Sequence, residues 1–229
     1  MQRLLAIAFR LLYYEMAFTY DWVANLVSLG QWWKWQEQAF AFLPPSGRVL
    51  ELGHGTGHMQ AKLRQRGYLP FGIDLSPQMG RLAKRYLTGH GELAAACVQA
   101  SALALPFPSA SMPAMLATFP TNYIFQPPAL REIRRVLTPQ GRLVVVLAAV
   151  PRPGGILRTL ARALFWLTGE SPSQTATLPA EWQTAIENIY THAGLHAELH
   201  TVELADSWVW LVVVHAPHTM LVLESRAGN

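Results

Sequence analysis

Cysteine is nearly absent: Cys97 is the one thiol in 229 residues. A single thiol closes no internal disulfide, and no Cys/His spacing matches a zinc site, so a disulfide framework and a structural metal are both unsupported. The expected compartment is a reducing one. Charge is scarce as well: Asp, Glu, Lys and Arg make up 14% of the chain, while hydrophobic residues reach 51%. Against a usual charged share of about 25%, that balance excludes a chain disordered throughout and requires a large apolar core. Long apolar runs are missing too. None reaches the roughly 18 uncharged apolar residues of a membrane span, and the best tract, Leu143 to Val150, has the length of a buried strand. The 18 Lys and Arg give a net charge of +4 but are scattered rather than clustered, which disfavours nucleic acid as a partner. At the N-terminus, Arg10 and Glu15 interrupt the apolar start and no small-residue cleavage site follows. The expectation is mature, cytoplasmic sequence.

What is present divides the chain into regions of different texture. Residues 1–43 hold 11 of the 24 aromatic residues, and Pro44-Pro45 closes the segment, so residues 1–45 are read as a helical cap broken at Gly30. From residue 46 to 216, short β-branched runs alternate with helical patterns, the signature of a parallel sheet covered by helices. Strands are predicted at Arg48 to Leu52, Tyr68 to Asp74, Leu93 to Gln99, Ala114 to Phe119 and Gly141 to Val150. Helices are predicted at Gly57 to Gln65, Pro77 to Tyr86, Pro128 to Leu137 and Ala180 to Ala193. A helical insertion occupies about 151–180. Two last strands, His196 to Leu204 and Ser207 to His215, are close enough to form an antiparallel hairpin. Residues 217–229 are a tail.

The stretch Val49-Leu50-Glu51-Leu52-Gly53-His54-Gly55-Thr56-Gly57-His58 runs a buried strand into alternating glycines. Glycine lacks the Cβ that would block a sharp turn or a close ligand, so a bound small molecule is the natural reason for three of them. The dinucleotide pattern needs a third glycine where His58 stands, and no G-K-[ST] follows for a phosphate loop. Twenty-one residues after Gly53, a second strand ends in Asp74, where α/β nucleotide sites carry the carboxylate that binds ribose hydroxyls. The segment Gly53 to Gly57 preceded by Glu51 resembles motif I of the class I S-adenosylmethionine-dependent methyltransferases. Ala100 to Pro108 is similar to that family's adenine-holding segment, and Leu130 to Leu143 to its next helix, turn and strand.

The resemblance implies a Rossmann-like α/β fold with a seven-stranded, mostly parallel sheet, a C-terminal antiparallel hairpin and helices on both faces. It implies S-adenosylmethionine as cofactor and S-adenosylhomocysteine as product. The cofactor-binding set is then Glu51, Gly53, His54, Gly55, Gly57, Asp74, Leu75, Met79, Ser101, Ala102 and Phe119, with Tyr20 from the cap. Ser101 and Met112-Pro113 depart from the family's usual Asp and Phe-Asp. Methyl transfer from a sulfonium needs alignment and exclusion of water more than a base. His54, lying between two glycines and expected to point away from the sheet, and Tyr20 are the candidates for direct participation, beside Trp22. His58 is expected to meet solvent at a helix start. The Tyr20-Asp21 segment is similar to that of quinone-biosynthesis methyltransferases, and the cap and insertion are rich in Leu, Phe and Trp. A small apolar acceptor is therefore expected. Pro120-Thr121-Asn122-Tyr123 lacks the run typical of enzymes that methylate DNA bases. Two other readings stay open: a non-catalytic cofactor-binding module, and a peripheral lipid methyltransferase whose N-terminal helix, with Leu4, Leu5, Ile7, Ala8, Leu11 and Leu12 beside Arg3 and Arg10, lies on a membrane.

Overall fold

The structure, a computed structural model, describes residue 28 and residues 30–91, 96–151 and 178–216. Helix α1 (Trp32–Glu37) and a 3-10 turn (Gln38–Ala41) lead into β1 (Gly47–Leu52). There follow α2 (His58–Gln65), β2 (Tyr68–Asp74), α3 (Pro77–Gly89), β3 (Cys97–Gln99) and β4 (Met112–Thr118). A second 3-10 turn (Asn122–Phe125), α4 (Pro127–Val136), β5 (Leu137–Pro151), α5 (Ala180–His192), β6 (His196–Glu203) and β7 (Ser207–His215) complete the order. The sheet runs β3-β2-β1-β4-β5-β7-β6. Strands β1 to β5 are parallel, and β7 lies antiparallel to both β5 and β6. The expected fold class is the one observed.

Alternation along each strand explains why helices cover both faces. Leu50 and Leu52, Met115 and Ala117, and Leu143 and Val145 belong to one buried cluster with Ile133 of α4 and Tyr190 of α5. Their neighbours Val49, Leu116, Val144 and Val146 belong to the other, with Trp35 of α1 and Met59 and Leu63 of α2. Strand order reverses between β1 and β4, which opens a crevice beyond their carboxyl ends.

Several boundaries differ from expectation. Strand β4 starts at Met112, so Pro113 sits inside a central strand; the register slips between Met112 and Ala114, and that bulge spares the ladder the amide proline lacks. Strand β5 begins at Leu137, which pairs with Met112 before the chain bends through Gln140 at φ 67° and rejoins the ladder at Arg142. Strand β3 covers Cys97–Gln99; its predicted beginning at residues 93–95 is outside the described residues. Cys97 is half-buried rather than core, and burial pushes its thiol up to about 12. Arg135 is no free outer-face charge. It pairs with Glu132 at 2.7 Å and donates to the carbonyls of Phe107 and Leu105, while Glu132 accepts from the Leu105 amide. The pair thereby pins the loop after β3 to α4, and Arg135 holds the Glu132 carboxyl below its ordinary range. The N-terminal apolar segment with Tyr20 and Trp22, most of the insertion and the tail lie outside the described residues. Among the described residues no helix is long and apolar enough to cross a membrane.

Candidate active site

The turn out of β1 is anchored to β2 through the backbone: the amides of Gly53 and His54 both donate to the Ile73 carbonyl, at 2.8 and 2.9 Å. Gly53, Gly55 and Gly57 have φ of 81°, 53° and 88°. Gly57 is the sharpest case, because a Cβ there would stand 3.0 Å from the Cβ of Ala83 in α3, so the residue both turns the chain and lets two helices close. The Gly55 amide donates to Asp74 Oδ2 at 2.9 Å, and the Ser76 amide to Oδ1 at 2.8 Å. A carboxylate offers about four lone-pair sites, so two remain for a ligand. Ser76 then caps α3 by accepting from the Met79 amide, with Pro77 in the first turn.

Glu51 is 2% exposed. Its carboxyl accepts from Gln60 Nε2 at 2.6 Å, and Gln60 also donates to the Phe71 carbonyl. No cation pairs with it among the described residues. Burial therefore dominates and pushes Glu51 up to about 8, with the nearby Asp74 charge adding to the rise. His54 departs from the expectation that it points away from the sheet. It is buried, its Cβ lies where a Cβ on Gly72 of β2 would meet it at 3.0 Å, and its Nδ1 donates to the Gly55 carbonyl at 2.9 Å. Burial lowers its pKa, with Asp74 opposing the shift, so the imidazole is neutral near pH 7. His58 does not simply face solvent: its ring packs between Trp33 at 4.4 Å and Tyr86 at 3.9 Å.

These elements enclose a cavity of about 480 Å³. Glu51, Gly53, His54, Gly55 and Asp74 line it from the first two strands, and Leu75, Met79, Ser101, Ala102 and Phe119 complete the predicted set along its length. Gly57 is not on the wall; it serves from behind. Ser101 Oγ accepts from the Leu103 amide at 3.1 Å. Tyr20 is outside the described residues. Other lining residues went unassigned in the sequence: Trp32, Trp33 and Gln36 of α1, and Tyr123 and Gln126 after β4. Phe119, at φ 48°, turns its ring onto Trp32, with centroids 4.3 Å apart, and makes an aromatic wall. Tyr123 Oη donates to the Leu52 carbonyl at 2.9 Å. Trp32, Trp33 and Trp35 have the spacing of a core stripe, and only Trp35 is core; nothing local marks the two that are not.

A family model described as a methyltransferase domain matches residues 50–145. The demethylmenaquinone methyltransferase of Thermus thermophilus is 36% identical over 156 residues, 66% of this chain and 70% of that protein. The chain belongs to the class I S-adenosylmethionine-dependent methyltransferases. The methyltransferase is also 30% identical over 148 residues to the ubiquinone/menaquinone biosynthesis C-methyltransferase of Shewanella frigidimarina, covering 61% of this chain and 59% of that protein. The phosphoethanolamine N-methyltransferase 2 of Haemonchus contortus, solved with phosphomonomethylethanolamine and S-adenosylhomocysteine, superposes with a TM-score of 0.58 at 13% identity, over 82% of this chain and 54% of that one. At that identity the likeness concerns the fold.

Proposed function

We propose that this methyltransferase moves the methyl group of S-adenosylmethionine to a carbon of a small, apolar ring acceptor of the quinone type. The observation that carries the reading is Asp74, fixed by the Gly55 and Ser76 amides at the cavity wall with two acceptor sites to spare. A ribose diol has the matching two donors. The residues fit the rest of the donor as well. Leu75, Ser101 and Ala102 supply an apolar and weakly polar slot for adenine beside Asp74, with Met79 behind it. Gly53 and Gly55 admit the chain of the ligand close to the backbone. Glu51, a buried carboxyl without a cation among the described residues, suits the ammonium of the amino-acid end, whose charge would lower its pKa and ionise it.

The sulfonium of S-adenosylmethionine supplies an electrophilic methyl group when bound. The Trp32–Phe119 stack gives the acceptor a flat apolar surface at the carboxyl end of β4, and aromatic faces favour a cationic donor without quenching it. Alignment and exclusion of water by α1 carry the rate. His54 holds the Gly55 carbonyl and so keeps the loop in register. The carbon acceptor rests on the relatives' names together with this aromatic wall. Such an acceptor partitions into bilayers, which supports collection from a membrane surface by the segment with Leu4, Leu5, Ile7, Arg3 and Arg10.

Mass spectrometry of a reaction with S-adenosylmethionine and a reduced, short-chain demethylated naphthoquinone is expected to show one added methyl on ring carbon. Product only from polar amines or peptides contradicts the acceptor. Binding of S-adenosylhomocysteine at pH 7 is expected to release close to one proton from Glu51, read as a buffer-dependent heat, and none in Glu51→Gln.

A further inference from the structure

Gln36 is a buried amide that has no partner among the described residues. It is 5% exposed and lines the cavity, yet its side chain makes no hydrogen bond to any other described residue. Buried polar side chains are almost always paired, and one left open toward a cavity points to a ligand atom. Its place identifies which atom. Helix α1 runs beside α2: Trp33 packs on His58, and Glu37 pairs with Lys62 four residues further along each helix. Gln36, between those two contacts, is therefore level with the middle of α2, where Gln60 reaches down to Glu51. Both α1 and Glu51 lie on the sheet face of Val49 and Trp35, since Glu51 follows Val49 by two residues along β1. Adenine and ribose would be at the opposite end, with Leu75 and Asp74.

We infer that Gln36 is a binding residue for the carboxylate at the amino-acid end of the cofactor, its amide N–H groups donating to the carboxylate oxygens while Glu51 takes the ammonium. The inference rests on the donor-binding reading above and adds the second half of the zwitterion. It makes a neutral amide the carboxylate's partner, while the neighbouring Lys62 is already engaged by Glu37. An uncharged partner discriminates weakly among analogues, so this end of the site is expected to distinguish ligands by the presence of the carboxylate rather than by its charge alone.

Calorimetry on the full chain separates the possibilities, using S-adenosylhomocysteine and methylthioadenosine, which lacks the amino-acid end. Gln36→Leu is expected to weaken S-adenosylhomocysteine about tenfold or more, the value of one hydrogen bond to a charged group. Methylthioadenosine is expected to bind within about twofold of wild type on the same scale. The ligand-free melting temperature of Gln36→Leu should equal or exceed that of wild type, because an unsatisfied amide has been removed from the interior. Gln36→Glu, which faces carboxylate with carboxylate, should bind S-adenosylhomocysteine more weakly still, and carries the same comparison if the leucine variant does not fold. Equal losses for both ligands, unchanged affinity for S-adenosylhomocysteine, or a change confined to the acceptor KM would each overturn the inference. Absence of S-adenosylhomocysteine binding in the wild type would instead remove the donor assignment itself.

Discussion

Glu51 is a carboxyl under the glycine loop with one glutamine for company, and its protonation sets a measurable trend. In the unfolded chain it ionises from about its ordinary 4.5; in the folded chain burial keeps it protonated up to about 8. The folded state thus binds the extra proton between those values, and stability falls as pH rises through that window. Glu51→Gln is expected to gain on wild type in ligand-free melting temperature between pH 5 and pH 8, by a few kcal/mol in linkage. A difference independent of pH contradicts the burial. His54 gives a second residue-level test. Its neutral ring serves the Gly55 carbonyl, so His54→Gln, which keeps a donor, should retain kcat within about threefold, whereas a general base would show a loss of about a hundredfold or more. Asp74 and the three glycines were legible in the sequence because their chemistry is local to one turn. That Glu51 meets no cation among the described residues was not, since it depends on what the neighbouring elements bring near it.

Elements were legible where burial repeats along the chain. Runs such as Leu143 to Val146, buried on both faces, announce parallel strands, and β2 and β7 lie where the alternation puts them. Pro113 and the early start of β5 were hidden, because a bulge between neighbouring strands is a property of the pair. The joint between α2 and α3 was hidden for the same reason. Gly57→Ala forces a Cβ to within 3.0 Å of Ala83 at φ 88°, whereas Gly55→Ala at φ 53° meets open space. Chemical denaturation is expected to show a loss of about 2 to 3 kcal/mol for Gly57→Ala and about 1 kcal/mol for Gly55→Ala. Equal losses contradict a packing role at Gly57.

At the scale of the whole molecule, the cavity is closed by distant parts of the chain. Trp35 of α1 donates to Ser207 at 2.9 Å, and Ser207 donates to Gln31 at 3.1 Å, so the cap is moored to the first residue of β7. Ser207 is fully buried, and Ser207→Ala should cost about 1 to 2 kcal/mol by thermal melting while raising the acceptor KM, because the Trp32–Phe119 wall moves with α1. A lower melting temperature with unchanged KM contradicts that link. This mooring spans most of the chain, which is why Trp32, Trp33 and Gln36 could not be read as site residues from their own segment. The donor site is tested most directly by titrating the full chain and Asp74→Ala with S-adenosylhomocysteine. Wild type is expected to bind, and Asp74→Ala to lose about a hundredfold in affinity as two hydroxyl contacts disappear. No binding by wild type, or equal affinity in the variant, contradicts the account.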